Sequence, residues 1–272
     1  MSAPNSAANQ TFDPEDIRTW PRLRPAPMPP PPLPALPFAP LPPLPPDQTE
    51  ALRAAALHAN DRYLADFVEA YGFCPYARKG RRLGQVFRYV HYASDADARP
   101  LVHLLHEVAA DRRQLVVQVI VPLVEVGAEA WTRFCAALVE HGNCGLERDD
   151  RLATAALHPK LNYREDNPFS LLTLFRRAPD PTIQWVRMDA VRALYAGRDG
   201  GTRAVSPEEV DALLARPPMT PLYDRIAHTN AAMARRLRVA WVEELLAGFR
   251  ADAQREYQRI LLDPRFDETE GA

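Results

Sequence analysis

The sequence predicts an α/β layered domain with a four-stranded, mostly parallel or mixed sheet, a helical C-terminal extension and a disordered proline-rich N-terminus. Three observations carry this reading. Short runs rich in β-branched and aromatic residues alternate with stretches whose apolar residues recur at helical spacing. Many of the 28 prolines crowd into residues 21–46. Beyond residue 205 the β-like runs stop and helical periodicity takes over. The chain divides accordingly into a proline-rich segment, 1–48, a core domain, 49–205, and a helical extension packed on it, 206–272.

Bulk properties narrow the function. The chain has 272 residues, and its 47% apolar content is ample for a core. A net charge of -2 gives no reason to expect nucleic acid or an acidic membrane as partner. No stretch approaches the roughly 20 apolar residues of a membrane span, and Met1 to Asn9 lack the pattern of a targeting signal. The 3 cysteines, Cys74, Cys135 and Cys144, do not form a disulfide framework. Together these point to a cytoplasmic protein. Arginine dominates the basic residues; the only lysines are Lys79 and Lys160.

Residues 21–46 centre on Pro29 to Pro32. Proline lacks the N–H that helices and sheets need, so this tract is expected as polyproline II or disordered chain. It reads either as a spacer or as a ligand for a proline-recognising protein partner. Leu33, Leu36, Phe38 and Leu41 make it greasier than most linkers and able to lie against the fold.

From Thr49 a helical pattern (Leu52, Ala56, Ala59, Tyr63, Phe67) runs to about Ala70 and stops at Gly72 and Pro75. The basic cluster Arg78, Lys79, Arg81 and Arg82 follows, read as a loop. Residues 85–92 alternate as a strand, 95–111 read as a helix capped by Ser94, and 114–121 form a near-continuous β-branched run suited to a central strand. Residues 128–141 are helical, 152–157 a third strand, 170–177 a short helix, 182–188 a fourth strand and 189–195 a helix. Crossover helices favour parallel pairing, with room for one antiparallel strand. A short helix is expected from Ser206, and a long helical run, able to break, from Pro221 to Leu262.

No complete catalytic signature is present: there is no Gly-rich phosphate loop, GxSxG, HExxH or CxxC. His141 and Cys144 have a spacing that suits a metal, but no second pair stands near them, and no metal site is assigned. Two places concentrate chemistry. Cys74-Pro75-Tyr76-Ala77 puts a thiol at a helix end beside basic residues, which favour the thiolate. His158-Pro159 puts an imidazole at a strand end, and the loop after it holds Lys160, Asn162, Arg164, Glu165, Asp166 and Asn167. A Cys/His pair is the minimum for nucleophilic chemistry, so Cys74 and His158 are the candidate catalytic residues. The plainer alternative is a core thiol and a histidine that satisfies a loop carbonyl. Lys79, Lys160, Arg164, Asn167 and Arg176 are the candidate binding residues for a phosphate or carboxylate. Glu165 and Asp166 are the loop's own alternative partners for its cations. No cofactor follows from these residues.

Phe73-Cys74-Pro75-Tyr76-Ala77, Leu157-His158-Pro159, and Asn167-Pro168-Phe169-Ser170 leading into Leu171-Leu172-Thr173-Leu174-Phe175-Arg176 resemble motifs of the bacterial family with domain of unknown function 1415. His228-Thr229-Asn230 weakly echoes a later segment of that family. Ser170 stands where the family has a second proline, and Thr173 where it has a histidine. The family implies no established activity, so the resemblance bears on fold. Two functional readings follow from the residues: a protein that binds a small anionic ligand at the Cys-Pro and His-Pro motifs, with room for enzymatic chemistry, or a non-catalytic scaffold whose proline-rich head recruits a partner.

Overall fold

A computed structural model describes residues 29–94, 97–195 and 222–266. The expected disorder of residues 1–28, the loop at 197–203 and the short helix from Ser206 lie outside the described residues. The elements run α1 (Pro46–Arg62), α2 (Pro75–Arg82), β1 (Val86–Val90), α3 (Arg99–Ala110), β2 (Val116–Ile120), α4 (Ala128–Gly142), β3 (Leu152–Leu157), α5 (Pro168–Leu171), β4 (Thr182–Arg187), α6 (Met188–Tyr195), α7 (Leu222–Leu237) and α8 (Val239–Leu261). Two irregular turns matter for the site. α1 continues as a π-helical stretch, Tyr63–Glu69, and a single 3₁₀ turn, Leu174–Arg176, follows α5.

The strands form one mixed sheet in the order β1-β2-β4-β3. β1 and β2 are parallel, and β4 is antiparallel to both of its neighbours. The antiparallel strand is therefore β4, wedged into the centre by its return from β3. The central positions go to β2 (VVQVI) and β4 (TIQWVR), which are the more buried strands. That placement suits β-branched and aromatic runs buried on both faces.

Alternation divides the sheet into two faces. Val117, Val119, Ile183, Trp185 and Leu152 pack against α3 and α4 in one core. The helices approach closely there: a Cβ on Gly142 would meet the Leu105 side chain at 2.7 Å. The opposite face carries Val116, Gln118, Ile120, Gln184 and Leu157, with cross-strand pairs Arg88↔Gln118 and Gln118↔Gln184. α1, α7 and α8 supply the apolar cover on this side. The helical extension thus contributes to the same core as the sheet.

Several local expectations change in the structure. The basic cluster after Cys74 is helix α2, not a loop. Arg78 donates to the Glu69 carbonyl at 2.9 Å, and Arg81 pairs with Glu69 at 3.3 Å and Asp61 at 3.5 Å. α3 begins at Arg99 after Ala98, and not at a Ser94 cap. The long C-terminal run breaks at Arg238, whose φ of 67° ends α7 and opens α8. Gly72, with φ of 69°, adopts the left-handed conformation that terminates the first helix as expected.

The ordered chain also starts earlier than Thr49. Residues 31–45 run as an extended strap whose first part lies on the α3–α4 side, while Leu44 packs against α1 and α8. Leu33, Leu36 and Phe38 pack into that core, with the Phe38 ring 6.4 Å from that of Trp131. The Leu41 N–H donates to Ala93 O at 2.7 Å, the Tyr92 hydroxyl donates to Pro42 O at 2.6 Å, and His141 Nδ1 lies 2.6 Å from Pro31 O. The expected disorder therefore does not extend over 31–48. Those apolar side chains are engaged within the fold.

Candidate functional site

On the face of the sheet opposite α3 and α4 lies a cavity of ≈ 280 Å³. Its floor is the sheet itself, at Val116, Gln118, Gln184 and Val186. One wall is the π-helical stretch, through Tyr63, Leu64 and Val68. The wider i→i+5 turn, seen in Ala70 N–H donating to Ala65 O at 3.2 Å, lets this segment diverge from a regular helix next to the cavity. A second wall is the turn that carries Phe73 and Cys74, with Ala77 of α2. Phe175 and Arg176 of the 3₁₀ turn, Ile226 and Asn230 of α7, Arg81 of α2 and Leu157 of β3 also line it.

Aromatic packing sets these walls. Phe73 stacks on Phe175 with ring centroids 4.1 Å apart, and Phe67 lies 4.9 Å from Phe73. The Tyr63 hydroxyl donates to the Phe175 carbonyl. Burial raises the Tyr63 pKa, the nearby Arg176 charge opposes that rise and Cys74 adds to it. Tyr63, Cys74 and Arg176 therefore share one electrostatic environment. Cys74 is half-buried and stands immediately before α2, and both Cys74 and Arg176 line the cavity.

The cavity's two arginines differ in their partners. Arg81 is paired with Glu69 and Asp61. Arg176 is half-buried, and no carboxylate among the described residues pairs with it. Its neighbour Arg177 is engaged at 2.8 Å by Glu243 and at 2.8 Å by the Leu161 carbonyl.

His158 sits elsewhere. It is 3% exposed and does not line the cavity. Its Nδ1 accepts from the Lys160 N–H at 3.1 Å, so Nε2 carries the proton and donates to Val126 O at 3.0 Å. Burial lowers its pKa, the bond to Val126 opposes this, and the Arg250 and Lys160 charges add to the lowering. The imidazole is neutral and both nitrogens are committed to backbone. The geometry brings Cys74 and Arg176 to one cavity, whereas His158 does not line it and anchors its loop.

The loop after His158 satisfies itself. Arg164 binds Asp166 with two hydrogen bonds, 3.1 and 2.7 Å, and both residues are exposed. Asn167 caps α5, its Oδ1 accepting from the N–H groups of Phe169 and Ser170 at 2.9 and 3.1 Å. Those N–H groups are thereby used, and Lys160 extends into solvent. Of the residues expected to bind an anion, Arg164 is thus paired with Asp166 and the Asn167 side chain is used as a cap. Lys79 lies on α2, and its side chain falls outside the described ones.

Sequence reading overlooked Gln118 and Gln184. A polar residue in the middle of each central strand is the signal that would have found them. Buried strand positions are normally apolar, and a buried amide needs a partner.

Among the described residues no helix is long and apolar enough to cross a membrane. Comparison of the chain with protein-family models, with curated proteins and with solved structures finds no match.

Proposed function

We propose that the protein binds a small, largely apolar monocarboxylate in the cavity between the sheet, the π-helical stretch and the 3₁₀ turn. The single observation behind this reading is Arg176, a guanidinium on an otherwise mostly apolar lining with no carboxylate partner among the described residues. A half-buried cation without a counter-charge is costly, and a ligand carboxylate offsets that cost with two parallel hydrogen bonds. One unpaired arginine matches one negative charge; Arg81 is already neutralised by Glu69 and Asp61. That favours a monoanion with an apolar body over a phosphate dianion or a nucleotide. The volume, ≈ 280 Å³, equals about nine waters of liquid and lies at the small end for ligand sites. The Cys74 thiol, which also lines the cavity, gives a bound ligand access to nucleophilic chemistry.

The test is thermal denaturation of wild type and Arg176→Gln with phenylacetate, hexanoate, their neutral amides and inorganic phosphate at matched ionic strength. The acids should raise the melting temperature of wild type saturably, as any ligand of the native state does, and leave the variant unmoved. Equal effects of acid and amide on wild type, or equal effects of the acids on both proteins, would overturn the proposal.

A further inference from the structure

The cavity floor carries a second polar feature that a simple carboxylate does not use. Gln118 lines it from the centre of β2 and is 2% exposed. Its amide nitrogen donates to Gln184 Oε1 across the β2–β4 pair at 3.1 Å. Its own carbonyl oxygen, Oε1, is buried and has no hydrogen-bond partner among the described residues. The cross-strand neighbour on its other side, Arg88, is turned to Asp61 in an ion pair. A buried acceptor left unpaired is costly, so a donor that reaches this oxygen is favoured. Two of the lining donors are committed elsewhere: the Tyr63 hydroxyl to the Phe175 carbonyl, and the Asn230 amide to the Phe73 carbonyl at 2.7 Å.

We infer that the ligand is a hydroxy- or amino-substituted apolar carboxylic acid, whose O–H or N–H donates to Gln118 Oε1 while its carboxylate meets Arg176. This rests on the carboxylate reading above and narrows it. The two polar groups of the lining then read opposite chemistry. Arg176 presents only donors, and Gln118 Oε1 presents only an acceptor. The apolar residues of the lining hold the ligand body. A site built to accept a hydrogen bond from a substrate hydroxyl discriminates strongly against the analogue that lacks it, because the acceptor is then left buried and unpaired.

The experiment compares phenylacetate with the 2-, 3- and 4-hydroxyphenylacetates by calorimetric titration of wild type, Gln118→Met and Arg176→Gln. At least one hydroxylated isomer should bind wild type about tenfold tighter than phenylacetate, the equivalent of ~1.4 kcal/mol. In Gln118→Met that preference should vanish while phenylacetate itself still binds. If all four acids bind wild type alike, this inference is wrong and Gln118 is served by water, whereas the carboxylate reading stands. If no acid binds wild type better than it binds Arg176→Gln, the carboxylate reading fails and takes this inference with it. Should Gln118→Met not fold, the ranking of the four acids on wild type decides alone.

Discussion

Asn230 donates from its side-chain amide to the Phe73 carbonyl at 2.7 Å, joining α7 to the turn that carries Cys74 across 157 positions of sequence. Asn230 is 5% exposed, so the bond is shielded from water. Asn230→Ala leaves that carbonyl buried without a donor. A loss of about 1–3 kcal/mol in chemical denaturation is expected. Asn230→Asp should cost more, since a carboxylate would then face a carbonyl oxygen. A change within error for both variants would show that the turn finds another donor.

His158 makes stability depend on pH in one direction. Its folded pKa lies below the ordinary 6.5, so the native state binds a proton less readily than the unfolded chain. Its contribution is intact above pH 6.5 and is lost as pH falls below it. Protonation also forces Nδ1 to become a donor against the Lys160 N–H that now donates to it. Relative to His158→Gln, wild type should lose stability between pH 7 and 5 in urea denaturation. Parallel pH curves for the two proteins would refute the assignment.

Asp180 acts with the opposite sign. It is 7% exposed and accepts from the Tyr257 hydroxyl at 2.7 Å. Burial raises its pKa from 3.8 to about 6, against the opposing effects of the Tyr257 bond and the Arg250 charge. The native state therefore holds this proton more tightly than the unfolded chain, and the carboxyl turns against folding as pH rises from about 4 to 6. Asp180→Asn, which keeps the acceptor for Tyr257, should gain on wild type over that window by on the order of 3 kcal/mol. The check is the difference in unfolding free energy measured at pH 4, 5, 6 and 7; a difference that stays flat would mean that Asp180 is ionised in the fold without penalty.

The strap should stabilise the core. Phe38 packs against Trp131, which is fully buried beneath it. Phe38→Ala opens that contact and should cost about 1–3 kcal/mol, less than a fully buried Phe because Phe38 is itself partly exposed. Deletion through Pro45 should lower the melting temperature further, since it also removes Leu33 and Leu36 from the same core. An unchanged melting temperature in both cases would mean that the strap rests on the surface without holding it.

Much of the fold was legible in the chain because the relevant signals are local. Val116–Ile120 and Thr182–Arg187 are β-rich runs whose residues choose strand without reference to distant partners. Gly72 ends a helix through its own left-handed φ, and Asn167 can cap a helix wherever one follows. Helix α2 escaped because Pro75–Arg82 is short and strongly basic, with few apolar residues; its cations are steadied by Glu69 and Asp61 from the preceding helical segment. The strap escaped for a related reason. Proline fixes its extended backbone, but whether Phe38 meets water or Trp131 depends on a helix nearly a hundred residues away.

The site divides in the same way. That Cys74, His158 and the surrounding arginines are the chemistry-bearing residues follows from the sequence alone, since residue type sets what a side chain can donate, accept or attack. Which of them face a common space was decided by tertiary structure. Arg164 has Asp166 two positions away and is neutralised in its own loop, while Arg176, on a 3₁₀ turn beside the sheet, has no such neighbour. His158 and Leu157 are adjacent in sequence, yet Leu157 lines the cavity and His158 is held by Val126 on another side. Gln118 stands opposite Gln184 only because β4 inserts antiparallel beside β2, a pairing that joins residues 66 positions apart. Long-range pairing brings a guanidinium and an amide oxygen, both without partners among the described residues, to one cavity, and no local pattern encodes that meeting.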